Sequence, residues 1–204
     1  MEDIYHTIAA PAEGLYKEKG SKFIALAYPV YSEEEVKEQL AELRKTYYDA
    51  RHHCYAYSLG ADKSRYRAND DGEPNHSAGD PILGQIRSAD LSNVLVVVVR
   101  YFGGTKLGVS GLINAYKTAA ADALAQATVV EKYETVLLQV HFQYPQMNEV
   151  MSLVKAYDLE MKAQEFALDC HLTLEVRRKL QEEITLKLEE MDHTAVSLLN
   201  AAPL

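Results

Sequence analysis

Apolar and polar positions along this 204-residue chain follow two rhythms, and the change between them falls near residue 130. In the later part, Val136, Leu138, Val140 and Phe142 alternate with Thr135, Leu137, Gln139 and His141, a half-buried strand pattern interrupted only by Leu137. Pro145 suits the first turn of a helix, on which Met147, Val150, Met151 and Val154 share one face. Alternation returns from Leu159 to Val176, long enough for two strands. Leu168, Cys170, Leu172, Leu174 and Val176 take one side, and Asp169, His171, Thr173 and Glu175 the other. Leu180, Ile184, Leu188 and Met191 then repeat at helical spacing, and Thr194 to Leu199 makes a final short strand. The predicted order is β-α-β-β-α-β, the ferredoxin-like split arrangement. Its middle turn, near Gln164–Ala167, carries no Gly, Asn or Pro. His141 and His171 fall on the more polar strand faces and read as solvated sheet histidines. This part looks like a docking or packing module without catalytic equipment.

The earlier part is longer and less regular. KEKGSKFIALAYPV predicts two strands turning at Gly20-Ser21. Ser32 with Glu35 forms a capping box, after which Val36, Leu40, Leu43 and Tyr47 mark an amphipathic helix. HHCYAYSLG alternates as a strand, and SRYRAND returns beside it. Pro81, Ile82, Leu83, Ile86 and Leu91 predict a short helix from about Gly79-Asp80. NVLVVVVR reads as a strand buried on both faces, followed by a long alanine-rich helix from about Ser110 to Ala127. The prediction is an α+β chain of two domains, 1–130 and 131–204, with the boundary at Thr128–Lys132.

Composition narrows the class. With 48% apolar and 25% charged residues, the chain has the balance of an ordinary globular protein. The apolar run Val94 to Val99 is too short to cross a bilayer, so no membrane role is predicted. No N-terminal stretch pairs basic residues with an apolar segment, which predicts no export signal. Cys54 and Cys170 are far apart in sequence, which fits a reduced, cytoplasmic protein. A net charge of -9 argues against indiscriminate polyanion binding. The charge is uneven: residues 51–117 hold eight Lys/Arg against six Asp/Glu, whereas residues 129–204 hold seven against thirteen.

The neutral-to-basic stretch contains Gly103, Gly104, Gly108 and Gly111, between the apolar strand and the long helix. A Walker loop needs lysine directly after its last glycine, and Gly108 is followed by Val109; the spacing fails G-x-G-x-x-G as well. What remains is physical. Arg100 ends the strand, Lys106 lies in the loop, Lys117 sits two turns into the helix, and Ser110 could cap the helix start. Unpaired amides there would hold an anion. Equally, the glycines could serve only positive φ angles and close packing, with Arg100 paired to a local carboxylate.

A second dense stretch, ANDDGEPNHSAGDP, offers Asp70, Asp71, Glu73 and His76, near Arg51, His52, His53 and Cys54 in the predicted fold. Its spacing matches neither an EF-hand nor a structural zinc site, so no metal and no cofactor is predicted. DDGEP also reads as a turn. No G-x-S-x-G elbow occurs, and adjacent His53 and Cys54 point to opposite strand faces, so catalysis is not predicted.

The stretches RHHCYAYSLG, DDGEPNHSAGDPIL and NVLVVVVRYFGGTKLGVSGLINAYKTAAADAL, in this order, resemble the signatures of the Impact family in its bacterial YigZ-type form. The resemblance implies an N-terminal domain folded like the second domain of a small-subunit ribosomal protein. It also implies a ferredoxin-like C-terminal domain similar to one in elongation factor G. It further implies a role in translation, and a shared surface comprising Arg51, His52, Asp70, Asp71, Glu73, Arg100, Tyr101, Gly103, Gly104, Lys106, Gly108 and Gly111. The sequence departs from the family pattern at Asn75-His76-Ser77, and at Asn114, where an arginine is usual.

Three functions follow as expectations. The first is a non-catalytic, translation-associated protein binding RNA or the ribosome through a cleft of Arg51–His53, Arg100–Lys106 and the helix start, with Tyr55, Tyr66 or Tyr101 stacking on bases. The second is an enzyme acting on a phosphorylated small molecule or nucleotide. The third is a regulator whose acidic C-terminal part docks to a basic protein partner.

Overall fold

A computed structural model describes residues 3–199. The chain divides into two compact units, one of Tyr5–Lys132 and one running from Tyr133 onward together with Asp3 and Ile4. Among the described residues, no helix is long and apolar enough to cross a membrane.

The elements of the first unit are β1 (Ile4–Ile8), β2 (Ala12–Glu18), β3 (Ser21–Pro29), α1 (Glu33–Thr46), β4 (His52–Leu59), β5 (Arg65–Asn69), α2 (Gly79–Ser88), β6 (Val94–Tyr101), α3 (Gly108–Gln126) and β7 (Val129–Tyr133). Five strands form an antiparallel sheet in the order β2-β3-β6-β4-β5, while β1 and β7 pair in a separate two-stranded ribbon. Strand alternation sorts β6 between two cores. Val94, Val96 and Val98 pack with Phe23, Ala25, Cys54 and Ala56 against α2 and α3. Leu95, Val97 and Val99 pack with Leu26, Tyr55, Tyr57 and Leu59 against Val36 and Leu43 of α1. That double burial is why this strand reads as an unbroken apolar run.

Helix α3 lies close to the sheet because Ala115, Ala119, Ala120 and Ala123 are its buried residues. A Cβ on Gly14 of β2 would come within 2.2 Å of the Ala123 amide nitrogen, so glycine is required there. The helix begins at Gly108, two residues earlier than Ser110. Leu91 lies beyond the end of α2 and instead forms a bridge with His6 of β1.

The second unit contains β8 (Thr135–Gln143), α4 (Met147–Ala156), β9 (Glu160–Glu165), β10 (Asp169–Arg177), α5 (Gln181–Glu189) and β11 (Thr194–Leu199). Its sheet order, β11-β8-β10-β9, all antiparallel, is the ferredoxin-like arrangement expected from the sequence. Cys170, Leu172, Leu174 and Val176 face Phe142, Val140, Leu138 and Val136 across the ladder and bury against Val150, Val154, Ile184 and Leu188. Leu168, assigned to that apolar side by alternation, instead lies in the turn and is 88% exposed. Asp3 is buried; its carboxylate accepts from Arg177 Nη2 at 2.8 Å and from the Lys179 amide at 3.3 Å. The Arg177 partner holds the Asp3 carboxyl below the usual carboxylate range. His141 and His171 stack across the strands, ring centroids 4.6 Å apart.

Candidate functional site

The site is built around the last residues of β6. Arg100 belongs to the face covered by α2 and α3, opposite Phe23 on β3 and His52 on β4. Its guanidinium lies 5.5 Å from the Phe23 ring centroid and 5.7 Å from that of Phe102. Nη1 donates to Glu73 Oε1 at 2.5 Å, and Tyr116 Oη donates to the same oxygen at 2.7 Å. Arg100 and Glu73 are only 7% and 8% exposed, so this is a desolvated pair whose partners must match each other. The match is incomplete: Arg100 Nε is buried and has no hydrogen-bond partner among the described residues. A buried donor left unpaired is costly and rare in a folded protein.

Behind this pair, the Cys54 thiol lies 3.3 Å from Tyr116 Oη and 3.0 Å from the Asp70 carbonyl oxygen. Burial pushes both the thiol and the Tyr116 hydroxyl well up from their ordinary values, so both stay protonated. Neither is a ready nucleophile.

The acidic loop is held by its own carboxylates. Asp70 accepts from the backbone amides of His76 at 2.8 Å, Ala78 at 3.0 Å and Gly79 at 2.8 Å. Asp71 accepts from the His53 amide at 2.7 Å and from Arg44 Nη2 at 3.1 Å. The Asp71 carbonyl oxygen receives His52 Nδ1 at 2.8 Å; a carbonyl only accepts, so that ring nitrogen carries the proton and Nε2 is left free in the neutral ring. Among the described residues, no group of three or more His, Cys, Asp or Glu side chains is placed to hold a metal ion.

The glycine loop turns two corners. Gly103 lies backbone-on-backbone against the β2–β3 turn: a Cβ there would fall 1.9 Å from Gly20 C. Its amide donates to Ser21 Oγ at 3.1 Å. Gly104 and Gly108, with φ of +90° and +73°, take left-handed conformations in open space. Helix α3 then starts without a side-chain cap at Leu107 and without an acidic residue in its first turn. Ser110 lies exposed inside that turn and does not cap it, contrary to expectation.

These pieces border a half-open hollow of about 500 Å³ lined by Arg51, His52, Glu73, Pro74, Arg100, Phe102, Lys106, Leu107, Gly108, Val109 and Leu112. Arg51 and Lys106 are exposed and have no carboxylate partner among the described residues. The wall thus combines cationic and apolar residues. Five of the residues singled out in the sequence, besides Glu73, meet here: Arg51, His52, Arg100, Lys106 and Gly108.

The others lie elsewhere. Asp70 and Asp71 shape the loop behind the wall. His53 and Tyr101 belong to the opposite sheet face, where His53 Nε2 donates to the Tyr47 carbonyl at 3.1 Å and Tyr101 Oη to Asp49 at 2.8 Å. Burial pushes the His53 imidazole down, and the Tyr101 hydroxyl up to about 12. Gly111 packs over Leu107, and Lys117 is exposed farther along α3. Tyr55 is buried on the α1 face, and Tyr66, on β5, lies under the Arg87 guanidinium at 4.5 Å. The aromatic ring that does reach the hollow is Phe102, 54% exposed just past the strand end. An apolar ring inside a glycine loop was the available signal for it.

Residues 19–124 match the Impact N-terminal domain. A protein of Thermus thermophilus described as an IMPACT family member is 43% identical over 140 residues, which is 69% of this chain and 75% of that one. The Escherichia coli IMPACT family member YigZ is 30% identical over 193 residues, covering 94% of this chain and 95% of the relative. A crystal structure of a hypothetical protein, 28% identical, aligns over 98% of both chains with a TM-score of 0.74. By the match of its N-terminal domain and by a relative that spans nearly all of its length, the chain belongs to the Impact family.

Proposed function

We propose that this chain acts in translation-related regulation by binding RNA, free or within a ribonucleoprotein, at the hollow beside α3, without catalysing a reaction. One observation carries the reading: Arg51, Arg100 and Lys106 gather around the uncapped start of α3. Backbone amides at a helix start and long cationic side chains are the groups that hold phosphate. The link to translation rests on what the family resemblance implies.

The overall charge of -9 limits such binding to a local patch. Affinity should therefore depend on salt with a shallow slope, about -0.7 for each single-strand phosphate engaged. Phe102 offers an exposed face for one base, since stacking on an aromatic ring tolerates any base.

Fluorescence anisotropy of a short unstructured RNA, titrated at several salt concentrations, tests the reading. Wild-type protein should bind at low ionic strength, and Lys106→Glu should weaken binding about tenfold, since reversing one contact charge is worth about 1.4 kcal/mol or more. Lys106 is exposed, so the fold should be unaffected. Absence of binding at low salt, or equal binding by the variant, would overturn the proposal.

A further inference from the structure

Resting on the reading just given, we infer that the hollow takes a phosphate monoester of a nucleotide, either the phosphorylated end of an RNA strand or a free mononucleotide, in preference to the internal phosphodiesters of a strand.

Three features point this way. The first is shape. At about 500 Å³ the hollow falls within the range of small-ligand sites, roughly 300–1,000 Å³. Non-specific single-strand sites instead follow the backbone along a groove for about four nucleotides or more. Here the cations line one local, half-open hollow, and Lys117, the next cation along α3, is not part of its wall.

The second is donor count. The first four amides of α3 have no intrahelical acceptor, no side chain caps them, and no acidic residue stands in the first turn. To these are added the side chains of Arg51 and Lys106, and the Arg100 side chain forms part of the cavity wall, although its unpartnered Nε is itself buried. An internal phosphodiester presents two non-bridging oxygens and one charge. A monoester presents three acceptor oxygens and a charge of about -1.5 to -2.

The third is charge. Glu73 neutralises Arg100, so the net positive charge of the wall comes from Arg51 and Lys106. Two cations without carboxylate partners suit a dianion. The apolar residues of the wall, Pro74, Phe102 and Leu112, suit the nucleoside that carries it.

The test uses the full-length chain and one short unstructured RNA in three forms: 5′-phosphorylated, 3′-phosphorylated, and with hydroxyls at both ends. Anisotropy competition adds a nucleoside monophosphate as a fourth arm. One of the end-phosphorylated forms should bind at least tenfold more tightly than the hydroxyl-ended form, and Lys106→Glu should abolish the preference. A free monophosphate competing as well as the phosphorylated RNA would support the site and assign it to a free nucleotide. Equal binding of all three RNA forms would overturn the inference while leaving RNA binding in place. Binding by none would remove both. An end preference that persists in Lys106→Glu would place it outside the hollow, and would also overturn the inference.

Discussion

Helices α2 and α3 pack on the same face of the same sheet, yet their N-termini are finished in opposite ways. At α2, no neighbouring side chain caps Ala78, but the Asp70 carboxylate, eight and nine residues upstream, accepts from the Ala78 and Gly79 amides. At α3, no side chain among the described residues fills that role, and two of the cations near it, Arg51 and Lys106, have no carboxylate partner there. The two densest polar stretches of the sequence therefore differ in kind. The acidic one uses its chemistry on itself, and the glycine one leaves its chemistry open. What distinguishes a binding site is the set of polar groups the fold leaves unmatched.

Removing the internal cap should give the largest effect. Asp70→Ala would strand the amides of His76, Ala78 and Gly79, the last two buried, at about 1–3 kcal/mol for each buried donor. Stability should fall by roughly 3 kcal/mol or more, read as a lower denaturant midpoint with unchanged slope. A loss under about 1 kcal/mol would mean that water replaces the carboxylate readily, and the contrast between the two helix starts would disappear.

The sequence displayed most of the fold because burial leaves periodic marks. Cys170, Leu172, Leu174 and Val176 occupy the apolar face their alternation assigns, and the run Val94 to Val99 is buried on both sides. The ribbon of β1 and β7 left no comparable mark, since β7 is largely exposed and β1 is a short strand. The site was legible only in part. Arg100, Lys106 and Gly108 stood out by residue type, but periodicity at a strand end does not reveal which residue of a pair such as His52-His53 faces the helices. The ladder settles this by placing His52 opposite Arg100. The Asp70 cap was hidden because its partners are backbone amides, which no residue type announces.

His53, on the other sheet face, gives an intermediate effect through pH. Burial pushes its imidazole below the ordinary value of about 6.5, while Asp71 Oδ2, 3.9 Å from Nδ1, pulls weakly the other way. The folded chain thus binds this proton less tightly than the unfolded chain. The contribution is full above the ordinary value and is lost as pH falls through it toward the folded value. Exposed His76, raised by its Asp80 partner, has the opposite sign. Asp3 adds its own loss only below the ordinary carboxylate range, in a separate window. Denaturant midpoints should therefore decline between about pH 6.5 and 5, and His53→Gln should flatten that decline. An unchanged slope in the variant would show that another group carries it.

The smallest effect probes the open helix start most directly. Ser110 is exposed in the first turn of α3, where there is no acidic residue. Ser110→Glu would place a negative charge at the positive end of the helix, which is worth about 0.3–1 kcal/mol of stability. The same charge would compete with any anion held there, so RNA affinity should fall severalfold while the unfolding midpoint rises slightly. Opposite signs in the two measurements are the informative result, because a substitution that merely disturbed the helix would lower both. At α2, Asp80 already stands in the first turn beside the Asp70 cap, so the start of that helix has no equivalent demand left to meet. If Ser110→Glu raised stability and left RNA affinity unchanged, the ligand would not reach the α3 amides, and Arg51 and Lys106 alone would have to account for binding.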